Sequence, residues 1–176
     1  MKMSDLEKAM AGDKEAFSRI IIQNKESMYK TAIVILKNED DAYDALQEAL
    51  IKMYSNISKL QNKEMFKYWS KRIIINSCYD LINKNKKVVN ITTKLTENYD
   101  ETVEDSYNCE DELVKILENI EPDLRLTVTL YYYDELSIKE ISKVLNIPEG
   151  TVKSRLARAR GKLYDILKGG EESGQK

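Results

Sequence analysis

Residues 137–160, SIKEISKVLNIPEGTVKSRLARAR, constrain the fold more than any other stretch. Their punctuation leaves room for little besides two short helices joined by a tight turn. Ser137 and Glu140 form an S-x-x-E capping box, which starts a helix by satisfying its free backbone N–H groups. Ile138, Ile141 and Leu145 follow at helical spacing and give that helix one buried face. Asn146 suits the left-handed position at its end. Pro148 suits the first turn of the next helix, where a missing N–H costs nothing. Val152, Leu156 and Leu163 form the buried stripe of that second helix, which leaves Lys153, Ser154, Arg155, Arg158 and Arg160 pointing outward. Such a helix fits the major groove of B-DNA, with side chains near its N-terminus reaching base edges. Apolar spacing of this kind also occurs in plain helical hairpins, and Lys and Arg also coat solvated helices. The coincidence of capping box, proline and clustered basic side chains is what points to DNA.

Length and composition set the bounds. The chain has 176 residues, room for one sizeable or two small domains. Two prolines and six glycines favour helix over sheet. Histidine is absent, which removes the commonest general base and metal ligand. Cys78 and Cys109 form no C-x-x-C pair and have no companion ligands, so neither a zinc site nor any cofactor is expected. Two lone cysteines and no signal peptide point to the reducing cytoplasm. The apolar runs 20–22 and 73–75 are far too short to cross a membrane. The net charge of −2 is unevenly spread: residues 1–90 carry +4, 91–134 carry −9 and 135–170 carry +4. Screening makes such local patches matter more than the total.

The chain reads as all-α. Periodicity predicts a short helix capped by Ser4, then one capped by Asp13 and ending near Asn38. A third is expected from about Asp40 to Ile57, with Ala42, Leu46, Leu50, Met53 and Tyr54 inward, and a fourth from about Glu64 to Lys84. Residues 86–109 are polar and turn acidic, as a flexible linker does. Helical spacing returns at Glu110, with Leu113, Ile116, Leu117 and Ile120 on one face. Pro122 opens another helix, and the helix-turn-helix completes a second unit.

The first unit has chemistry of its own. Arg72, Asn76 and Asp80 lie four residues apart on the fourth helix and form a polar stripe, with Lys67 and Lys71 near it. Asn presents a donor and an acceptor and so can read a base edge, while Lys and Arg can hold phosphates. Trp69 and Tyr68 can stack on unpaired bases, although a core position suits Trp69 better. On the third helix Asp41, Asp44, Gln47 and Glu48 face away from the apolar stripe. That acidic face suits either solvent or a basic protein partner.

Together these residues resemble a known family, the bacterial RNA polymerase sigma factors of the extracytoplasmic-function class, the smallest members of the sigma-70 family. DDAYDALQEALIKMY, FKYWSKRIIINSCYDLINKNKK and LSIKEISKVLNIPEGTVKSRLARARGKL resemble three of its segments, in order, over nearly the whole chain. The resemblance implies a core-docking and −10 domain over 1–85, a linker over 86–109, a −35 domain over 110–168 and a disordered tail over 169–176. It implies that Asp41, Asp44, Gln47 and Glu48 dock on the clamp coiled coil of the polymerase's largest subunit. The loop from Leu60 to Met65, with Lys67, Lys71, Arg72, Asn76 and Asp80, matches the element that melts the −10 region and captures a flipped base. Thr151, Lys153, Ser154, Arg155 and Arg158 match the helix that reads the −35 element. Control by an anti-sigma factor, often membrane-bound, is implied as well. One departure concerns the backbone: the family usually has Gly where Glu135 stands. A left-handed Glu costs roughly 1–2 kcal/mol, so a turn of another shape is expected there.

Other classes fit less of the chain. A helix-turn-helix regulator working without core polymerase explains residues 110–168 but leaves Arg72, Asn76 and Trp69 idle. An enzyme would need a base, a phosphate loop or clustered ligands, none of which the sequence offers. A purely protein-binding helical adaptor would leave the basic helix as mere solvated surface.

Overall fold

A computed structural model describes residues 4–92, 116–117 and 119–173, with side chains over 4–85, 116–117, 119–166 and at 168. The chain divides into two compact units, Met1–Tyr107 and Asn108–Lys176. The described residues of both are helices and turns, as an all-α chain requires.

In the first unit helix α1 spans Asp5–Met10, α2 Lys14–Leu36, α3 Glu39–Asn56 and α4 Phe66–Thr92. Side-chain caps start three of them. Ser4 and Glu7 make a capping box on α1, in which the Ser4 N–H donates to Glu7 Oε2 at 2.7 Å. Asp13 Oδ1 accepts from the Ala16 N–H on α2, and Asn38 Oδ1 from the Asp41 N–H on α3. Each satisfies a donor the helix itself leaves free. Asn38 therefore begins α3 rather than ending α2. The left-handed residue that closes α2 is Lys37, φ 57°.

Helix α3 packs on both α2 and α4. Its buried stripe is Ala42, Ala45, Ala49 and Met53, with Leu46 and Leu50 only partly covered. Tyr54, expected inward, is 45 % exposed, although its ring meets Phe17 edge-on at 5.3 Å. Alanines bring the helix backbones close, so larger side chains at the neighbouring positions are displaced to the rim. Ile74 and Cys78 supply the α4 side, and burial pushes the Cys78 thiol up to about 12. Two 3-10 turns, Ile57–Lys59 and Lys63–Met65, connect α3 to α4. Helix α4 continues to Thr92, beyond the linker boundary expected at residue 86. The rest of the expected linker lies outside the described residues, as do Cys109 and most of the helix expected from Glu110.

In the second unit helix α5 spans Pro122–Val128 and runs into a π-helical turn, Thr129–Tyr133. Helix α6 spans Ile138–Leu145 and α7 Glu149–Ser173. Helix α7 thus includes residues 169–173, expected to be disordered. The Ser137–Glu140 capping box is present on α6, with the Ser137 N–H donating to Glu140 Oε2 at 2.8 Å. Asn146 closes that helix in the left-handed conformation, φ 54°. Ser142 pins the turn, its hydroxyl donating to the Ile147 carbonyl at 2.6 Å. Pro148 stands immediately before α7, and its carbonyl accepts from the Thr151 and Val152 N–H groups. Leu130, Leu136, Ile141, Val152, Leu156 and Ala159 are buried together in this unit, whereas Leu163 is half-buried.

Glu135 corrects the expectation for the turn before α6. It keeps the left-handed conformation that glycine usually supplies, φ 53°, instead of another shape. The turn closes through the Leu136 N–H, which donates to the Leu130 carbonyl at 3.0 Å, and Leu136 itself is buried. Burial of that leucine holds the strained residue in place. Glu135→Gly is therefore expected to stabilise the protein by about 1 kcal/mol, read as a higher urea midpoint at unchanged slope.

Candidate nucleic-acid interface

Helix α4 presents Arg72 and Asn76 to solvent one turn apart, and Asp80 follows one turn on. Asn76 is exposed, which leaves its amide open to a partner outside the helix. Trp69 shares this flank. It is half-buried, its ring 6.0 Å from Phe66, and it packs against the core, as a core tryptophan would. With Tyr68 it nevertheless walls a shallow cleft of about 510 Å³, whose other side is Leu60 and Gln61 of the connecting loop. Lys52 and Lys59 also line that cleft. Sequence reasoning missed these two lysines because they lie on α3 and its following turn, and only the fold brings them beside α4.

The two lysines of the expected stripe part company. Lys67 is exposed but sits five residues before Arg72, well round the helix. Lys71 is a correction, because it is 3 % exposed and cannot face DNA. Its ammonium donates to the Ser27 carbonyl and to Thr31 Oγ1, both at 2.6 Å, tying α4 to α2. It follows that position 71 turns toward α2 while 72 and 76 turn away, a choice that four-residue spacing does not reveal.

Asp44, Gln47 and Glu48 are exposed on α3, opposite its alanine stripe, and Asp41 is half-buried at the same flank. Asp44, Gln47 and Glu48, but not Asp41, border a groove of about 470 Å³ between α3 and α4. Ile51, 63 % exposed, sits in the same groove and adds an apolar element that the acidic pattern had hidden. Asp80 lines this groove too. Lys52 bridges the two helices there, donating to Ser77 Oγ and Asp80 Oδ2 at 3.1 Å each. Asp80 is thus tied to α3, apart from the cleft beside Trp69.

In the second unit Lys153, Ser154, Arg158 and Arg160 are exposed on α7, and Thr151 is half-buried. Ser154 Oγ donates to the Thr151 carbonyl and retains its acceptor capacity outward. Arg155, expected to point freely outward, instead leans on α5. Its Nη2 lies 2.5 Å from Asp123 Oδ2, and its side chain is only 17 % exposed. Lys162, two turns along, pairs with Glu121. That lysine holds the Glu121 carboxyl below its usual range. Among the described residues no group of His, Cys, Asp or Glu is placed to hold a metal ion, and no helix is long and apolar enough to cross a membrane.

The comparisons with known proteins agree with this arrangement. Residues 20–88 match the family described as Sigma-70 region 2, and residues 110–163 that described as Sigma-70, region 4. The chain is 35 % identical over 172 residues to the ECF RNA polymerase sigma factor SigW of Bacillus subtilis, which covers 89 % of this chain and 91 % of that protein. It is 28 % identical over 171 residues to the ECF RNA polymerase sigma-E factor of Escherichia coli, covering 88 % of each. Among solved structures, RpoE of Bartonella quintana, in complex with the anti-sigma factor NepR, superimposes with a TM-score of 0.70 at 22 % identity, over 86 % of this chain and 96 % of that one. CnrH, in complex with the cytosolic domain of CnrY, gives 0.67 at 19 % identity, over 94 % and 96 %. At these identities the two structures speak for the fold.

The chain belongs to the sigma-70 family of RNA polymerase sigma factors, in the extracytoplasmic-function class. It is a transcription initiation factor that directs core RNA polymerase to promoters. A helix-turn-helix regulator acting alone is not favoured, since the region 2 match covers the part of the chain that reading leaves idle.

The burial of Lys71 generates a stability prediction. Lys71→Ala is expected to lower stability by about 1–3 kcal/mol, through loss of a buried charged donor. Lys67→Ala should change it by under about 0.5 kcal/mol. Chemical denaturation of the two variants side by side checks the contrast.

Proposed function

We propose that the first unit, read as residues 1–85, docks on core polymerase and opens the −10 region, and that residues 110–168 read the −35 element across a linker at 86–109. Asp41, Asp44, Gln47 and Glu48 form the docking stripe, meeting a basic coiled coil of the polymerase's largest subunit. Ile51 lies at the centre of that contact, where an apolar side chain loses water on docking. Arg72 holds a phosphate of the opening strand, and Asn76 bonds the edge of an exposed base. The cleft between Trp69 and the 60–65 loop takes the flipped base, stacked on aromatic rings. Asp80 acts from the docking side, through Lys52, and Lys67 contributes at most a peripheral phosphate contact.

One observation carries this reading: the Asn76 amide and the Arg72 guanidinium stand exposed on one flank of α4, beside an aromatic-walled cleft. In the second unit Thr151, Lys153, Ser154, Arg155 and Arg158 address the −35 duplex in its major groove. The protein works without a cofactor, a metal or catalysis of its own, in the cytoplasm with the polymerase. An anti-sigma factor, soluble or membrane-anchored, holds it inactive. Support comes from RpoE of Bartonella quintana, described in complex with the anti-sigma factor NepR.

Two experiments test the assignment. Asp44→Lys with Glu48→Lys is expected to weaken binding to core polymerase while leaving the fold intact, since exposed charge reversals shift stability by under about 0.5 kcal/mol. A pull-down of core subunits, with circular dichroism as control, reads both effects, and normal binding would remove the stripe from the docking surface. Asn76→Ala is expected to impair strand opening more than closed-complex binding, because the amide reaches a base only after the strands part. Permanganate reactivity of the −10 thymines measures opening, and an unchanged signal would take Asn76 out of the melting surface.

A further inference from the structure

We propose that Asp123 is a positioning residue for promoter recognition, fixing Arg155 as a directed cation on the recognition helix; this rests on the −35 reading of the second unit. The basic side chains of α7 fall into two sets. Lys153 and Arg160 stand on one flank, exposed. Arg155, Arg158 and Lys162 stand on the other, at i, i+3 and i+7, along the edge facing the start of α5. Two of these three are paired to that edge: Arg155 to Asp123 and Lys162 to Glu121. Arg158 lines the cleft between them, with Pro122 and Leu124.

The pairing changes what Arg155 can do. An unpaired arginine on a helix samples many rotamers and acts on DNA as a mobile counter-charge, attracting every sequence alike. Base discrimination needs the planar fork in one orientation, since a bidentate contact tolerates little rotation. Asp123 binds Arg155 through one terminal nitrogen at 2.5 Å, on a side chain already 83 % covered. The remaining N–H donors of the guanidinium then keep a fixed direction. Asp123 is itself 63 % exposed, so its carboxylate also opposes non-specific attraction of phosphates to this flank. The pair exchanges general affinity for selectivity.

The test uses the whole 176-residue chain with core polymerase and a duplex library randomised over the −35 region. The quantity read is the ratio of Kd for a scrambled duplex to Kd for the selected one. Asp123→Asn is expected to lower that ratio about fivefold, while the scrambled duplex binds at least as tightly as before. Asp123→Glu, which restores the charge, should recover most of the ratio. In an Arg155→Ala background, Asp123→Asn should have no further effect. Thermal melting of each variant shows that the fold is retained, which the exposure of Asp123 favours. A ratio unchanged by Asp123→Asn, or one that falls equally when Arg155 is absent, overturns the proposal alone. A wild-type chain that selects no sequence overturns the −35 reading and the proposal with it.

Discussion

The packing of α3 through Ala42, Ala45, Ala49 and Met53 is the constraint on which the first unit depends. Small side chains at one-turn intervals let α2 and α4 approach α3 from two directions. The far side of α3 carries Asp44, Gln47 and Glu48, with Ile51 among them. The same close approach places Lys52 within reach of Ser77 and Asp80 on α4. The stripe proposed for docking and the Arg72–Asn76 flank proposed for melting are thereby carried on adjacent helices of one packed body, which suits groups that must meet a partner in fixed geometry.

The second unit solves a different problem, the presentation of one helix at a set angle. Three local devices hold the turns around α6: left-handed Glu135 before it, left-handed Asn146 after it, and the Ser142 hydroxyl on the Ile147 carbonyl. Glu135 is the expensive one, since its Cβ crowds the backbone where glycine would not. The protein tolerates it because burial of the adjoining Leu136 holds the turn. Helix α7 is then steadied along its flank by ion pairs to Asp123 and Glu121. An exposed pair such as Lys162 with Glu121 contributes little to stability, about 0–1 kcal/mol. On the −35 reading, the pair to Asp123 acts instead on the direction in which Arg155 meets DNA.

The all-α class, the starts of α1, α2 and α6 and the left-handed Asn146 were legible in the residues themselves, whereas the cap at Asn38 and the left-handed Glu135 were not. Ser4, Asp13 and Ser137 cap where their side chains can reach a free N–H two or three residues on, and that reach is a local property. The same holds for Asn146, which tolerates a left-handed backbone whatever surrounds it. The acidic stripe of α3 and the exposure of Arg72 and Asn76 also followed from periodicity. Family resemblance added the functional reading of those surfaces, which spacing alone left open between solvent and partner.

What periodicity could not decide was the neighbour. Spacing assigns a residue to a flank of its helix but does not say what stands opposite. Lys71 belongs to a polar run, yet tertiary packing turns it onto Ser27 and Thr31, forty residues and more away in sequence. Arg155 sits among outward-facing basics, yet α5 brings Asp123 against it across 32 residues. Tyr54 was expected inward from its apolar register and ended at the rim because alanines took the centre. The sequence by itself determined where helices begin, which faces are apolar and where charge collects, since those depend on atoms within a turn or two. Only the tertiary structure decided which charged groups are spent inside the protein and which are left for a partner, because that depends on residues brought together from distant parts of the chain.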